Sequence, residues 1–258
     1  MRVVTYASAR RAAAAAAAIV LDHLSRNRRL VLGLPTGNTP IPMYHSLVRA
    51  YEQGRADFSQ ATTFNLDEFV GLGKNDPGSY RTFMNALFFD HVNMSPSRAH
   101  MPDGRATDWR REILRYDRRI ARTGGLDLVV LGIGGNGHLG FNEPGTALEA
   151  RTHRVALRPE TRRANARLFG GRWQDVPAYA LSMGIGTILT AKHVVLLATG
   201  AAKARVVARA LTGPVTTQLP ASLLQVHPEV VVVLDRAAAA RITAFRRPDL
   251  QVRQLRRL

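Results

Sequence analysis

Apolar residues fall into short unbroken runs separated by longer stretches in which they recur every three or four positions. The runs at 3–5, 30–34, 62–66, 126–131, 193–198 and 230–234 are rich in Val, Leu and Ala and contain no Pro. Such runs predict strands buried on both faces, and a weaker one at 152–157 predicts a short strand. Between them, spacing and composition predict helices at 8–25, from after Pro40 to 51, and at 79–91, 107–121, 160–169, 184–191, 201–211 and 237–245. The alanine tract at 12–18 is a segment of high helix propensity. Strands alternating with helices predict an α/β fold: a single-domain (1–258), doubly wound, mostly parallel sheet, Rossmann-like, with helices on both faces. The stretch 151–182, rich in arginine and poor in strong strand signals, is expected to be a lid.

Polar residues concentrate where four of these strands end: PTGNTP after Leu34, DEF after Leu66, GIGGNGH after Leu131 and TGAAK after Ala198. In a doubly wound sheet the carboxyl ends of parallel strands share one edge, so the four loops are expected to line one cleft. The formal Gly132-x-Gly134-x-x-Gly137 match to a dinucleotide fingerprint fails on its context. Pro144 follows closely, no helical period starts inside the motif, and no acid stands about 20 positions on.

The loop Thr36, Gly37, Asn38 and Thr39 leads into a helix N-terminus and suits a phosphate group, or is an ordinary capped turn. It lacks the Gly-Lys-Ser/Thr of a nucleotide-binding loop. Lys203 stands near a helix start, where a bound anion would explain it; otherwise it is a surface lysine. Arg167 could fold in from the lid as a second anion ligand. Asp67-Glu68 offers either a general base or a helix cap. His138 and Glu143 offer an acid/base group with a partner carboxylate, or a structural histidine. No set of three or four His, Asp and Glu residues suggests a metal site, and no Gly-x-Ser-x-Gly elbow is present.

Composition narrows the classes further. No apolar run approaches the ~20 residues of a membrane span, so no membrane partner is expected. With no cysteine there is neither a disulfide framework nor thiolate chemistry, and a cytoplasmic location fits. The chain carries 36 basic and 19 acidic residues, net +17, and only three of the cations are lysines. The arginines are scattered without a basic block, which argues for a composition bias and against a specific nucleic-acid partner.

Taken together, Leu32-GLPTGNTP, Phe64-NLDEFVGL, Ser79-Tyr80-Arg81-x-Phe-Met, Leu131-GIGGNGHLGFNEPG, Thr161-Arg-Arg-Ala-Asn-Ala-Arg167 and Thr199-GAAK203 resemble the glucosamine-6-phosphate deaminases. They occur in that family's order and spacing. The resemblance implies conversion of D-glucosamine 6-phosphate and water to D-fructose 6-phosphate and ammonia in amino-sugar catabolism, without cofactor or metal. It implies that His138, oriented by Glu143, opens the sugar ring and that Asp67 moves a proton between C2 and C1. Thr36 to Thr39, Arg167 and Lys203 would hold the phosphate.

Two positions depart from the family pattern. Asn136 stands where some members carry Asp; it can position neighbours but cannot hold a charge. His153 and Val155 replace an Arg and a Lys that hexameric members use for N-acetylglucosamine 6-phosphate, so that activation is expected to be absent. A 6-phosphogluconolactonase-type hydrolase and a non-catalytic sugar-phosphate sensor are the alternative functions. The oligomeric state is left open, a homo-oligomer included.

Overall fold

The computed structural model describes residues 1–242 and the backbone of 251–253. In chain order the elements are β1 (Arg2–Tyr6), α1 (Ala9–Arg26), β2 (Val31–Leu34), α2 (Ile41–Glu52), β3 (Thr62–Asn65), β4 (Asp67–Phe69), α3 (Tyr80–Leu87), β5 (Ala99–His100) and α4 (Trp109–Arg122). They continue with β6 (Leu128–Leu131), β7 (His153–Ala156), α5 (Pro159–Asn165), β8 (Tyr179–Ser182), α6 (Ile185–Leu189), β9 (His193–Ala198), α7 (Ala204–Thr212), β10 (Val230–Asp235), α8 (Arg236–Ala239) and β11 (Gln251–Arg253). Short 3-10 turns at 166–169, 201–203 and 220–226 fill gaps between them.

The main sheet has the order β11-β1-β10-β9-β6-β2-β3-β5, and every described pairing in it is parallel. Strand side chains alternate between its faces, and both faces are covered. Leu128 and Val130 of β6 join one core with Ala12, Ala16 and Val20 of α1 and Met43, Tyr44 and Leu47 of α2. Val129 and Leu131 join the opposite core with Tyr116 and Ile120 of α4 and Val207 and Leu211 of α7. This two-sided burial is why the strands read as unbroken apolar runs. The alanine tract of α1, capped by Ser8, presents Ala12, Ala13, Ala16 and Ala17 to the core. Small side chains there let the helix lie close to the sheet.

A second sheet, β4-β8-β7, is antiparallel. Phe69, Tyr80, Phe141, Leu157, Val176 and Ala180 form its own core, with Phe69 4.7 Å from Tyr80 and 5.5 Å from Phe141 between ring centroids. The segment 151–182 is therefore anchored at both ends, by β7 and β8, with α5 and two 3-10 turns between them. The helix expected at 237–245 is α8, which ends at Ala239; residues 243–245 lie outside the described residues.

Strand order reverses between β2 and β6: from β2 the chain moves outward through β3 to β5, and from β6 through β9 to β10. A crevice opens beyond the strand ends at such a reversal. Both loops entering it are the polar ones singled out from sequence.

Candidate functional site

A cleft of about 860 Å³ occupies that crevice. Its lining includes Thr36, Gly37, Asn38, Thr39, Asp67, Asn136, His138, Arg167 and Lys203. Glu143 reaches it through His138, whose Nδ1 lies 3.6 Å from Glu143 Oε2, an ion-pair distance just beyond a hydrogen bond.

The loop after β2 is held from behind: the buried Tyr44 hydroxyl of α2 donates to the Pro35 carbonyl at 2.5 Å. Gly37 has φ 97°, a left-handed turn that an L side chain rarely adopts. It swings the chain from strand into α2.

Asp67 opens β4, so the strand's alternation sends it and Glu68 to opposite sides. Glu68 turns away from the cleft and accepts four bonds, from the Phe69, Tyr80 and Arg81 backbone N–H groups and the Ser79 hydroxyl. Its carboxylate ties β4 to the N-terminus of α3. Asp67 keeps the cleft side, is only 5% exposed, and its Oδ1 has no hydrogen-bond partner among the described residues. Burial, then the charge of Glu68, push its carboxyl up to about 8, against a smaller lowering by the Thr36 hydroxyl.

After β6 the chain makes a tight turn in which Gly137 N–H donates to Gly134 O and Gly134 N–H to His138 O. The imidazole of His138 packs on Gly134, where an added Cβ would fall 2.4 Å from the ring. The next residues are pinned to the small sheet: Phe141 N–H donates to Ser182 Oγ at 3.0 Å, and the Asn142 amide donates to Met183 O at 2.8 Å. His138 Nδ1 is a second buried polar atom without a hydrogen-bond partner among the described residues.

Glu143 is the hub of the polar contacts. Its Oε2 accepts from Asn136 Nδ2 at 2.8 Å and its Oε1 from Thr161 Oγ1 at 2.5 Å. Burial raises its pKa, but the neighbouring imidazole of His138 and the bonds from Thr161 and Asn136 outweigh it, leaving the carboxyl below its usual value. Asn136 Oδ1 accepts from the His138 backbone N–H at 3.2 Å. Asn136 therefore touches the carboxylate and the main chain of the turn rather than the imidazole.

Thr161 belongs to α5; sequence reading quoted it within a motif and gave it no role. The same holds for Tyr80 and Asn165, which line the cleft and are joined by a bond of 2.9 Å from the Tyr80 hydroxyl to Asn165 Oδ1. Asn165 Nδ2 in turn donates to the Thr161 carbonyl. The signal was there in part, since Thr161 and Asn165 share a helix face four residues apart, but nothing local names partners so far away in the chain.

Lys203 is the last residue of the turn before α7. Its ammonium donates to the Ile133 carbonyl at 2.6 Å, and burial alone lowers its pKa. The turn is fixed by Asp235, whose carboxylate accepts from Gly200 N–H at 3.0 Å. Arg167 is exposed at the mouth, carried by the 3-10 turn that follows α5. The cleft thus holds hydroxyls and a lysine that could meet an anion, and a carboxyl and an imidazole suited to moving protons. Among the described residues no cluster of three or more His, Asp or Glu could hold a metal ion.

Residues 5–233 match the family described as glucosamine-6-phosphate isomerases/6-phosphogluconolactonase. A glucosamine-6-phosphate deaminase of Halothermothrix orenii is 47% identical over 240 residues, covering 93% of this chain and 99% of the relative. Glucosamine-6-phosphate deaminase 2 of Bacillus subtilis is 46% identical over 227 residues, 88% of this chain and 91% of the relative. Among solved structures, a monomeric glucosamine-6-phosphate deaminase is 42% identical, with a TM-score of 0.90 over 93% of this chain and all of the other. The 6-phosphogluconolactonase of Trypanosoma brucei, 18% identical with a TM-score of 0.71 over 93% of this chain and 98% of the other, shares the fold.

Proposed function

The chain belongs to the glucosamine-6-phosphate isomerase/6-phosphogluconolactonase family, and from that premise we propose that its cleft deaminates D-glucosamine 6-phosphate to D-fructose 6-phosphate and ammonia. The observation that carries the chemistry is the pairing, in one cleft, of a buried carboxyl raised to about 8 with an imidazole backed by a carboxylate.

The reaction needs a proton moved twice. In the closed sugar, His138 takes the proton from the C1 hydroxyl and returns it to the ring oxygen, which opens the ring to the aldehyde. Glu143, ionised and below its usual pKa, stabilises the imidazolium formed in passing. Asp67 then removes the proton at C2 and delivers one to C1, while the C2 amino group gives up a proton and O1 takes one up. C1 becomes a primary alcohol and C2 an imine, so the oxidation of one carbon balances the reduction of the other. Water adds to the imine carbon, ammonia leaves, and the C2 ketone remains. A base serves best when its pKa lies near the working pH, and burial gives Asp67 that property.

The phosphate binds to Thr36, Gly37, Asn38 and Thr39 at the start of α2, with Lys203 and Arg167 as cations. Binding energy spent on this remote group positions the reacting carbons. Thr161 and Asn136 hold Glu143, and through it the imidazole. Neither donates to substrate, so both are positioning residues.

Assaying glucosamine 6-phosphate and 6-phosphogluconolactone side by side tests the reading. The deaminase has the larger kcat/KM on the amino sugar. A chain that hydrolyses the lactone and releases no ammonia would make it a hydrolase on the same fold.

A further inference from the structure

Three of the arginines that look scattered in sequence meet in one place in space. A second cleft, of about 560 Å³, lies on the far side of β4 from Asp67, where Glu68 lines it. Its cations come from four segments: Lys74 after β4, Arg81 of α3, Arg105 after β5 and Arg119 of α4. Leu72, Met101 and Pro102 give it an apolar side.

The acids there are already engaged. Glu68 accepts its four bonds from β4 and α3. Asp76 binds Arg105 at 3.0 Å and accepts from Gly73 N–H, and Asp103 Oδ1 accepts from Arg105 N–H. Among the described residues Lys74, Arg81 and Arg119 form no ion pair. His100 also lines the cleft, and its Nδ1 lies 3.1 Å from the Arg119 guanidinium. Arginine is always a donor, so this nitrogen accepts and the imidazole is neutral. Burial, then Arg119, Arg115, Arg81 and Arg98, lower its pKa to about 4. A concave site in which three cations, Lys74, Arg81 and Arg119, stand outside any ion pair attracts anions.

We propose that this second cleft binds a small molecule bearing a di- or triphosphate group, with Arg81, Arg105 and Arg119 as its ligands. Guanidinium groups match phosphate oxygens in planar pairs. Three guanidinium groups from separate segments offer more planar pairs than one phosphate group takes up, which favours two or more linked phosphates. The ligand would sit behind the strand that carries Asp67, against Arg81, whose backbone N–H holds Glu68. The proposal does not rest on the deaminase reading.

The test is calorimetric titration with inorganic pyrophosphate, in a Lys203→Ala background that weakens anion binding in the first cleft. One equivalent binds saturably. Adding Arg105→Ala and Arg119→Ala, both exposed positions, weakens binding at least tenfold, and Arg119→Ala alone weakens it less. The exposed pair Arg28→Ala and Arg29→Ala, on another surface, leaves it unchanged. In an otherwise wild-type chain the Arg105 and Arg119 changes leave kcat/KM on glucosamine 6-phosphate unaltered. No saturable binding overturns the proposal. So does an undiminished affinity after the Arg105 and Arg119 changes. Equal weakening by the Arg28 and Arg29 pair overturns it too, as mere attraction to a chain of net charge +17.

Discussion

Asp67 is the residue on which the proposed chemistry turns, because its environment sets both its reactivity and its cost to the fold. Replacing it with Asn keeps the shape and removes the base. We expect kcat to fall by about 10²–10⁴-fold with KM little changed, the contribution of a positioned base. Its raised pKa also fixes a stability trend. An acid whose folded pKa exceeds its unfolded value binds the proton more tightly when folded. Stability therefore falls as pH rises from about 4, where the unfolded carboxyl ionises, to about 8, where the folded one does. Asp67→Asn removes that penalty, so its stability advantage over wild type should grow across this window to a few kcal/mol, read by denaturant unfolding at pH 4.5 and 8.5. An advantage that shrinks with pH would contradict the buried, raised carboxyl. In the wild type, kcat/KM should climb toward pH 8 on its acid side.

Thr161 makes a prediction of a different kind. Its hydroxyl gives Glu143 a charge-assisted bond worth roughly 1.5–3 kcal/mol, of which only part reaches the transition state. Thr161→Val should lower kcat about tenfold with KM nearly constant, and Thr161→Ser should restore it. Loss of KM instead, without rescue by Ser, would assign Thr161 to phosphate binding or to folding.

At the level of elements, the turn after β6 fixes His138 against a glycine. Gly134 has ordinary backbone angles, so Ala is tolerated by the chain there, but its methyl would lie 2.4 Å from the imidazole. Gly134→Ala should therefore fold normally and lose activity as the ring is displaced, whereas a normal kcat would show that the ring's position does not matter. The same scale explains what the sequence made legible. Six strands of the main sheet, β1, β2, β3, β6, β9 and β10, fall on the runs read from sequence, and β9 spans the residues expected; the edge strands β5 and β11, two and three residues long, show no such run. Asp67–Phe69 and Tyr179–Ser182 were not legible either, because short strands with a carboxylate pair or a lone tyrosine show neither run nor clear alternation. Their pairing is a tertiary event, and with it went the distinction between Asp67 and Glu68. Adjacent in sequence, they face opposite clefts only because β4 is a strand. That Thr36 to Thr39, His138 and Lys203 share a cleft was legible because glycines and strand ends mark them locally; Thr161 and Tyr80 gain meaning from partners 18 and 85 residues away.

At the scale of the whole molecule, the strand reversal between β2 and β6 brings loops from 36 to 203 into one crevice. Lys203→Ala should raise KM about tenfold or more by removing a charged contact to phosphate, with a smaller loss of kcat. On β7, His153 Nδ1 lies 3.0 Å from the Arg151 carbonyl, and Val155 packs against the core of the small sheet. Neither position offers a fixed positive charge to a second sugar phosphate. We therefore expect hyperbolic kinetics unaffected by N-acetylglucosamine 6-phosphate. A sigmoidal rate curve that the amide makes hyperbolic would contradict this.

The most direct test follows ammonia and fructose 6-phosphate together, with glucosamine 6-phosphate as substrate, for the wild type and Asp67→Asn in parallel. The wild type should release the two products in equal amounts, and the variant should release neither at a comparable rate. Ammonia release by the variant at the wild-type rate, or none by the wild type, would contradict the role given to this cleft.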